Sequence, residues 1–123
     1  MQYAILCYDH EDVVFNWTKE QDDAVIASLA EVKHRFAKEG RLGPTARLMP
    51  TTTATTIRKG KEPIVVDGPF AETKEQLLGF YFVECDSLEQ AIEFAKDLAR
   101  SSSSAGSYEV RPLRAFTPGS AVR

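Results

Sequence analysis

Between Asp67 and Glu75 the chain gathers Asp67, Glu72, Lys74 and Glu75 around a turn built by Gly68 and Pro69, with Phe70 among them. A carboxylate and an ammonium on one short loop can act together on a small substrate. A carboxylate desolvated beside an aromatic ring can carry a proton near neutral pH, and an ammonium can stabilise enolate-like charge. Asp67, Glu72 and Lys74 are therefore the catalytic candidates, with Phe70 as a contact for substrate. The same residues also suit a structural turn, in which Asp67 accepts backbone N–H bonds and Lys74 pairs with a carboxylate. Arg111 offers a guanidinium clamp for an anion, or a bridge to the acidic loop or to a second subunit. Tyr81, like Tyr3 and Tyr8, lies in an apolar run, where aromatic side chains either line a pocket or pack in a core or interface. Tyr81 and Arg111 complete the substrate-binding candidates.

Cys7 and Cys85 suit buried small side chains, or a disulfide if neighbouring strands align them. Neither they nor His10 and His34 fall at metal-ligand spacing, so no metal is expected.

The elements that must position these groups are legible in part. Gln2 to Tyr8 is short and apolar and reads as a strand. Thr18-Lys19-Glu20-Gln21 has capping-box spacing, Val25, Leu29, Val32 and Phe36 share one helical face, and Gly40 stops that helix. Arg41 to Pro50 is interrupted by Gly43 and Pro44 and reads as an irregular approach with a short strand at Ala46 to Leu48. Thr51 to Arg58 and Pro63 to Val66 read as a hairpin turning at Lys59 to Glu62. Leu77 to Glu84 is the strongest strand. Ser87-Leu88-Glu89-Gln90 repeats the capping-box spacing before a second amphipathic helix that runs to about Arg100. A serine-rich connector leads to a closing strand at Ser107 to Leu113. This order fits an α+β, ferredoxin-like βαββαβ sandwich with an antiparallel sheet and an extra hairpin strand.

With 123 residues the chain is sized for one domain, expected over 1–116 with a flexible tail at 117–123. Hydrophobic residues at 43% and charged residues at 27% exclude fibrous and disordered classes. A net charge of −3 supplies no basic field, so neither nucleic acid nor an anionic membrane is expected as a partner. No secretory leader pattern or membrane-length apolar run is present, and cysteines are few; a reduced, cytoplasmic setting is expected.

The strands carry a further implication. Tyr81 and Val83 alternate with Phe80 and Phe82, and Tyr3, Ile5 and Cys7 with Ala4, Leu6 and Tyr8, so both faces of the sheet are apolar. Two helices cover one face. The other is expected to meet an identical sheet in a homodimer, the competing arrangement being a monomer whose 41–50 segment folds across it.

The run Val66-Asp67-Gly68-Pro69-Phe70-Ala71-Glu72-Thr73-Lys74-Glu75-Gln76-Leu77 resembles the signature of the YCII-related, or DGPF-domain, family. Met1 to Tyr8 resembles the family's opening strand, and Ser107-Tyr108-Glu109-Val110-Arg111-Pro112 its closing one. The resemblance implies a ferredoxin-like subunit that pairs through its sheets into a dimeric α/β barrel. Likeness to muconolactone-isomerase-type barrels implies an acid–base enzyme that needs no cofactor, of isomerase or lyase type, acting on a small carboxylated or carbonyl compound. One branch of the family is associated with a His–Asp pair. Here neither His10 nor His34 stands at the start of the first helix, and Ser104-Ala105 precedes Gly106-Ser107 where relatives often carry a histidine. The association of some relatives with sigma factors implies the alternative, a noncatalytic small-molecule-binding or regulatory module.

Overall fold

The computed structural model describes residues 1–119. Strand β1 (Gln2–Asp9) leads through a short helix α1 (Glu11–Val14) into the long helix α2 (Lys19–Lys38). Strands β2 (Leu42–Arg47), β3 (Thr55–Arg58), β4 (Ile64–Asp67) and β5 (Gln76–Glu84) follow, then helix α3 (Leu88–Ser101) and strand β6 (Ser107–Pro112). The main sheet is four-stranded with order β2-β5-β1-β6, and each of its pairings is antiparallel. With α2 and α3 laid on one face, this is the ferredoxin-like α+β arrangement expected from the sequence.

Both principal helices start as their residues dictate. The Thr18 hydroxyl accepts from the Gln21 N–H, and the Gln21 side chain accepts from the Thr18 N–H, closing the box. At α3 only half of that pattern forms. Ser87 accepts from the Gln90 N–H, but the Gln90 amide oxygen accepts instead from the Asp86 N–H and from Arg41. Arg41 also pairs with Asp86 at 3.0 Å, so the end of α2 is tied to the start of α3. Gly40, at φ 70°, takes the left-handed turn that releases the chain from α2.

The core lies between the sheet and the helices. Tyr3, Ile5 and Val83 meet Val32, Phe94, Ala95 and Leu98, and the Phe94 ring lies tilted against that of Phe36 with centroids 4.1 Å apart. These are one face of β1 and β5 and the inward stripes of α2 and α3, as the strand alternation and helical spacing require.

Two sequence expectations are revised. The 41–50 segment is an edge strand rather than an irregular approach, and it does not fold across the helix-free face. Its outer position lets it carry Pro44, and its register shifts between Leu42 and Thr45. Residues Thr51–Thr53 form a 3-10 turn instead of extending β3, because the Glu11 carboxylate accepts both the Thr51 N–H and its hydroxyl at the start of that turn. The β3–β4 hairpin forms as expected and makes its own two-stranded sheet. Ile57, Ile64, Val65 and Phe70 on and beside it are exposed.

Cys7 and Cys85 are free thiols. Cys7 sits opposite Gly79, whereas Cys85 lies beyond the Gln2–Glu84 end of the same strand pair, which keeps the two apart. Phe116 packs against Phe82 with ring centroids 5.9 Å apart. Of the tail expected at 117–123, residues 120–123 lie outside the described residues. Among the described residues no helix is long and apolar enough to cross a membrane.

Because Phe94 of α3 packs against Phe36 of α2 and Tyr81 of β5 and is only 2% exposed, Phe94→Ala should lower unfolding free energy by about 3–5 kcal/mol in chemical denaturation. A loss under about 1 kcal/mol would show that this core is not the one that holds the fold.

Candidate functional site at the end of the first strand

The helix-facing positions of β1 read Tyr3, Ile5, Cys7 and then Asp9. The alternation that fills the core thus ends by placing a carboxylate on the buried side. Asp9 is 6% exposed, and among the described residues it is the buried charged side chain. A carboxylate removed from water must find hydrogen-bond donors. Oδ1 accepts from the His10 N–H at 2.7 Å, and Oδ2 accepts from the Ser104 hydroxyl, which is itself 2.8 Å from the Ser102 hydroxyl. The serine-rich connector, which composition marks only as flexible, therefore supplies one of the two partners of the buried charge.

Local backbone geometry serves the same corner. A β-bulge shifts the β1–β5 register between Cys7 and Tyr8, a device that re-aims side chains beside sites. Gly106 lets β6 approach β1 closely, since a Cβ there would stand 2.1 Å from the Tyr8 carbonyl oxygen and 2.9 Å from the Asp9 Cα. The turn from β1 into α1 is held by the Gln76 side chain, which accepts from the Glu11 N–H at 3.0 Å.

Two hollows meet at this corner and share Cys7, Asp9, Ser102, Ser104 and Tyr108. One, of about 340 Å³, runs beside α3 past Ile92, Ala95, Lys96 and Val110. The other, of about 80 Å³, lies on the α2 side between Tyr81, Phe15, Trp17, Leu29 and Arg47. The Tyr81 and Tyr108 rings are 6.5 Å apart. Burial pushes the pKa of the Tyr81 and Tyr108 phenols above the ordinary tyrosine value, and the neighbouring Cys7 adds to the effect in both. Burial likewise raises the Cys7 thiol, with the Asp9 charge adding to it and Arg47 opposing it. At neutral pH the corner therefore presents neutral O–H and S–H groups beside Asp9. Neutral phenols are hydrogen-bond donors suited to a developing oxyanion.

Of the residues singled out from the sequence, Tyr81 lines the α2-side hollow. Asp67 closes β4 and is exposed, and Glu72 and Lys74 stand exposed in the loop that follows. Phe70 is 75% exposed. Arg111 pairs with Glu109 at 2.7 Å on the exposed surface. It lies opposite Ala4 in the sheet, one residue out of phase with Tyr3 and Ile5, and so on the helix-free face. The fold places Tyr81 and Arg111 on opposite faces of the sheet, and the 67–74 loop stands exposed apart from the hollow that Tyr81 lines. Asp9, Ser104, Tyr108 and Arg47 were not singled out. Their signal was a charged residue continuing the buried phase of an apolar strand, and a glycine opening the strand that pairs with it.

A ferredoxin-like subunit with a polar corner under its helices defines a class of small α+β domains, and comparison with known proteins specifies it. The model of the YCII-related domain matches residues 1–117. The chain belongs to the YCII-related family. It is 54% identical over 120 residues to an uncharacterised protein of Rhizobium meliloti (strain 1021), with 97% of each chain covered.

The raised phenols give a signed pH dependence. Below the ordinary tyrosine value near 10 both states hold the proton; above it the unfolded chain ionises first, so stability is lost as pH rises. Wild-type unfolding free energy should therefore fall between about pH 9.5 and 11, and Tyr108→Phe should flatten that fall. An unchanged slope in Tyr108→Phe would place the phenol in contact with water.

Proposed function

We propose that the YCII-related domain described here is an acid–base enzyme that moves a proton next to a carbonyl group of a small compound, in the manner of an isomerase or lyase. The observation that carries this reading is the buried Asp9 carboxylate beside the neutral Tyr81 and Tyr108 hydroxyls in one hollow. Asp9 takes the proton from the carbon, and the two phenols donate hydrogen bonds to the oxygen on which negative charge develops. Ser104 and Ser102 hold the carboxylate in place, so that it meets substrate without rearrangement. No step of this scheme calls for a cofactor or a metal.

The pairing of two copies through their helix-free faces belongs to the same proposal. Leu6, Tyr8, Phe80 and Phe82 are only half-buried on that face, and Phe116 covers only its Phe82 edge. An apolar surface of this kind favours closed two-fold association. Sedimentation at micromolar concentration should show a species near twice 13.7 kDa; a 13.7 kDa species alone would overturn the pairing.

A noncatalytic binding module is the second reading. Its supporting observation is that Ser104 already donates to Asp9, so the carboxylate is partly engaged before any ligand arrives. Exchange of solvent deuterium into the carbon beside the keto group of α-ketocaproate, followed by proton NMR, separates the two. Wild type should accelerate exchange and Asp9→Asn should lose about 100-fold or more. Binding without exchange would favour the module. Exchange that survives in Asp9→Asn but is lost in Asp67→Asn and Lys74→Ala would move the reaction centre to the 67–74 loop.

A further inference from the structure

The α2-side hollow holds only a few atoms and does not stand alone. On its outer side lies a groove of about 340 Å³ bounded by Thr18, Lys19, Asp22 and Met49. Val14, Phe15, Trp17, Arg47 and Leu48 line both spaces. A ligand can thus place a small reacting head inside, near Asp9 and Tyr108, and lay its body along Phe15 and Trp17. Arg47 is the cation on the wall common to the two, and its charge acts on Cys7 and Tyr81 within. Lys19, the other cation of the groove, is paired with Asp23 and its side chain is 89% exposed.

Arg47 makes its ion pair with Asp22 at 2.9 Å. That contact uses one nitrogen of a five-donor group. Asp22 also lies in the first turn of α2, where the helix favours negative charge on its own account. Handing Arg47 to another carboxylate therefore leaves Asp22 stabilised, while the incoming anion gains a planar, bidentate partner at the edge of an apolar space.

We infer that the substrate of this cleft is a small monocarboxylate with an apolar body, its carboxylate held by Arg47 and its reacting carbon turned inward to Asp9. This rests on the acid–base reading for the role of Asp9 and adds the substrate class and the residue that selects it. Arg47 is a binding residue in this assignment, and Asp22 is its competitor.

The chain's single tryptophan, Trp17, stands in the cleft and reports its occupancy by fluorescence. Titration with α-ketocaproate and with its primary amide should show the acid binding about tenfold or more tighter. Arg47→Gln should remove that preference, and Asp22→Asn, which frees the guanidinium, should tighten the acid severalfold without changing the amide. Thermal melts of both variants check that they are folded. Equal affinity for acid and amide, no saturable change with either, or a preference that survives in Arg47→Gln would each overturn the assignment. Its failure is distinct from failure of the acid–base reading. Exchange that depends on Asp9 but is indifferent to Arg47 removes the anion clamp alone, whereas Arg47-dependent binding without exchange removes the proton transfer alone.

Discussion

The burial of one carboxylate organises this molecule's functional corner. Asp9 ends a strand whose preceding inward residues build the core, so it is drawn under the helices by the same alternation that buries Ile5. Leaving it there unpaired would cost several kcal/mol or drive it to protonate. The chain meets that demand from far away in sequence: Ser104 arrives from the connector after α3, and Gly106 allows β6 to pass close enough to bring it. The bulge in β5, the glycine in front of β6 and the serines after α3 are then parts of one solution rather than separate irregularities.

Much of the scaffold was legible because it follows from short-range rules. Thr18 and Ser87 mark helix starts through their own hydroxyls, and the apolar stripes of α2 and α3 are local periodicities. The strand at Leu42–Arg47 was not, since Gly43 and Pro44 argue against a strand unless its place at the sheet edge is already known. The candidate site was harder still. A dense charged loop such as Asp67 to Glu75 draws notice in sequence, yet charge density alone is equally the mark of a solvated turn. Asp9, flanked by His10, Glu11 and Asp12, looks like the polar end of a strand. Only its phase with Cys7 separates it from them, and the serine that helps to satisfy it lies 95 residues away.

The two faces of the sheet divide the labour of the fold. The face under the helices carries the core and, at one end, the Cys7, Tyr81 and Tyr108 cluster; the other carries Leu6, Phe80 and Phe82 together with the Glu109–Arg111 pair. Tyr81 and Phe80 are adjacent in sequence, and the pleat sends one to the hollow and the other to the face that the proposed partner covers. Substitutions along β5 therefore alternate between the two roles. Under the proposed pairing, an oligomerisation defect and a binding defect would lie one residue apart.

The chemistry of the corner also follows from where water is excluded. Cys7, Tyr81 and Tyr108 hold their protons more tightly than free side chains because the core end of the sheet solvates their anions poorly. Such groups keep their protons at neutral pH, which argues against thiol or phenolate attack and leaves O–H and S–H groups to face charge formed on something else. Beside them, a carboxylate fixed by two hydrogen bonds can accept a proton and needs little reorganisation to do so. Arg47 stands at the outer end of the same space, where solvent and Asp22 keep its charge supported. The gradient from an exposed cation to a buried carboxylate gives an asymmetric ligand one favourable orientation, anionic end outward, before any specific contact is counted.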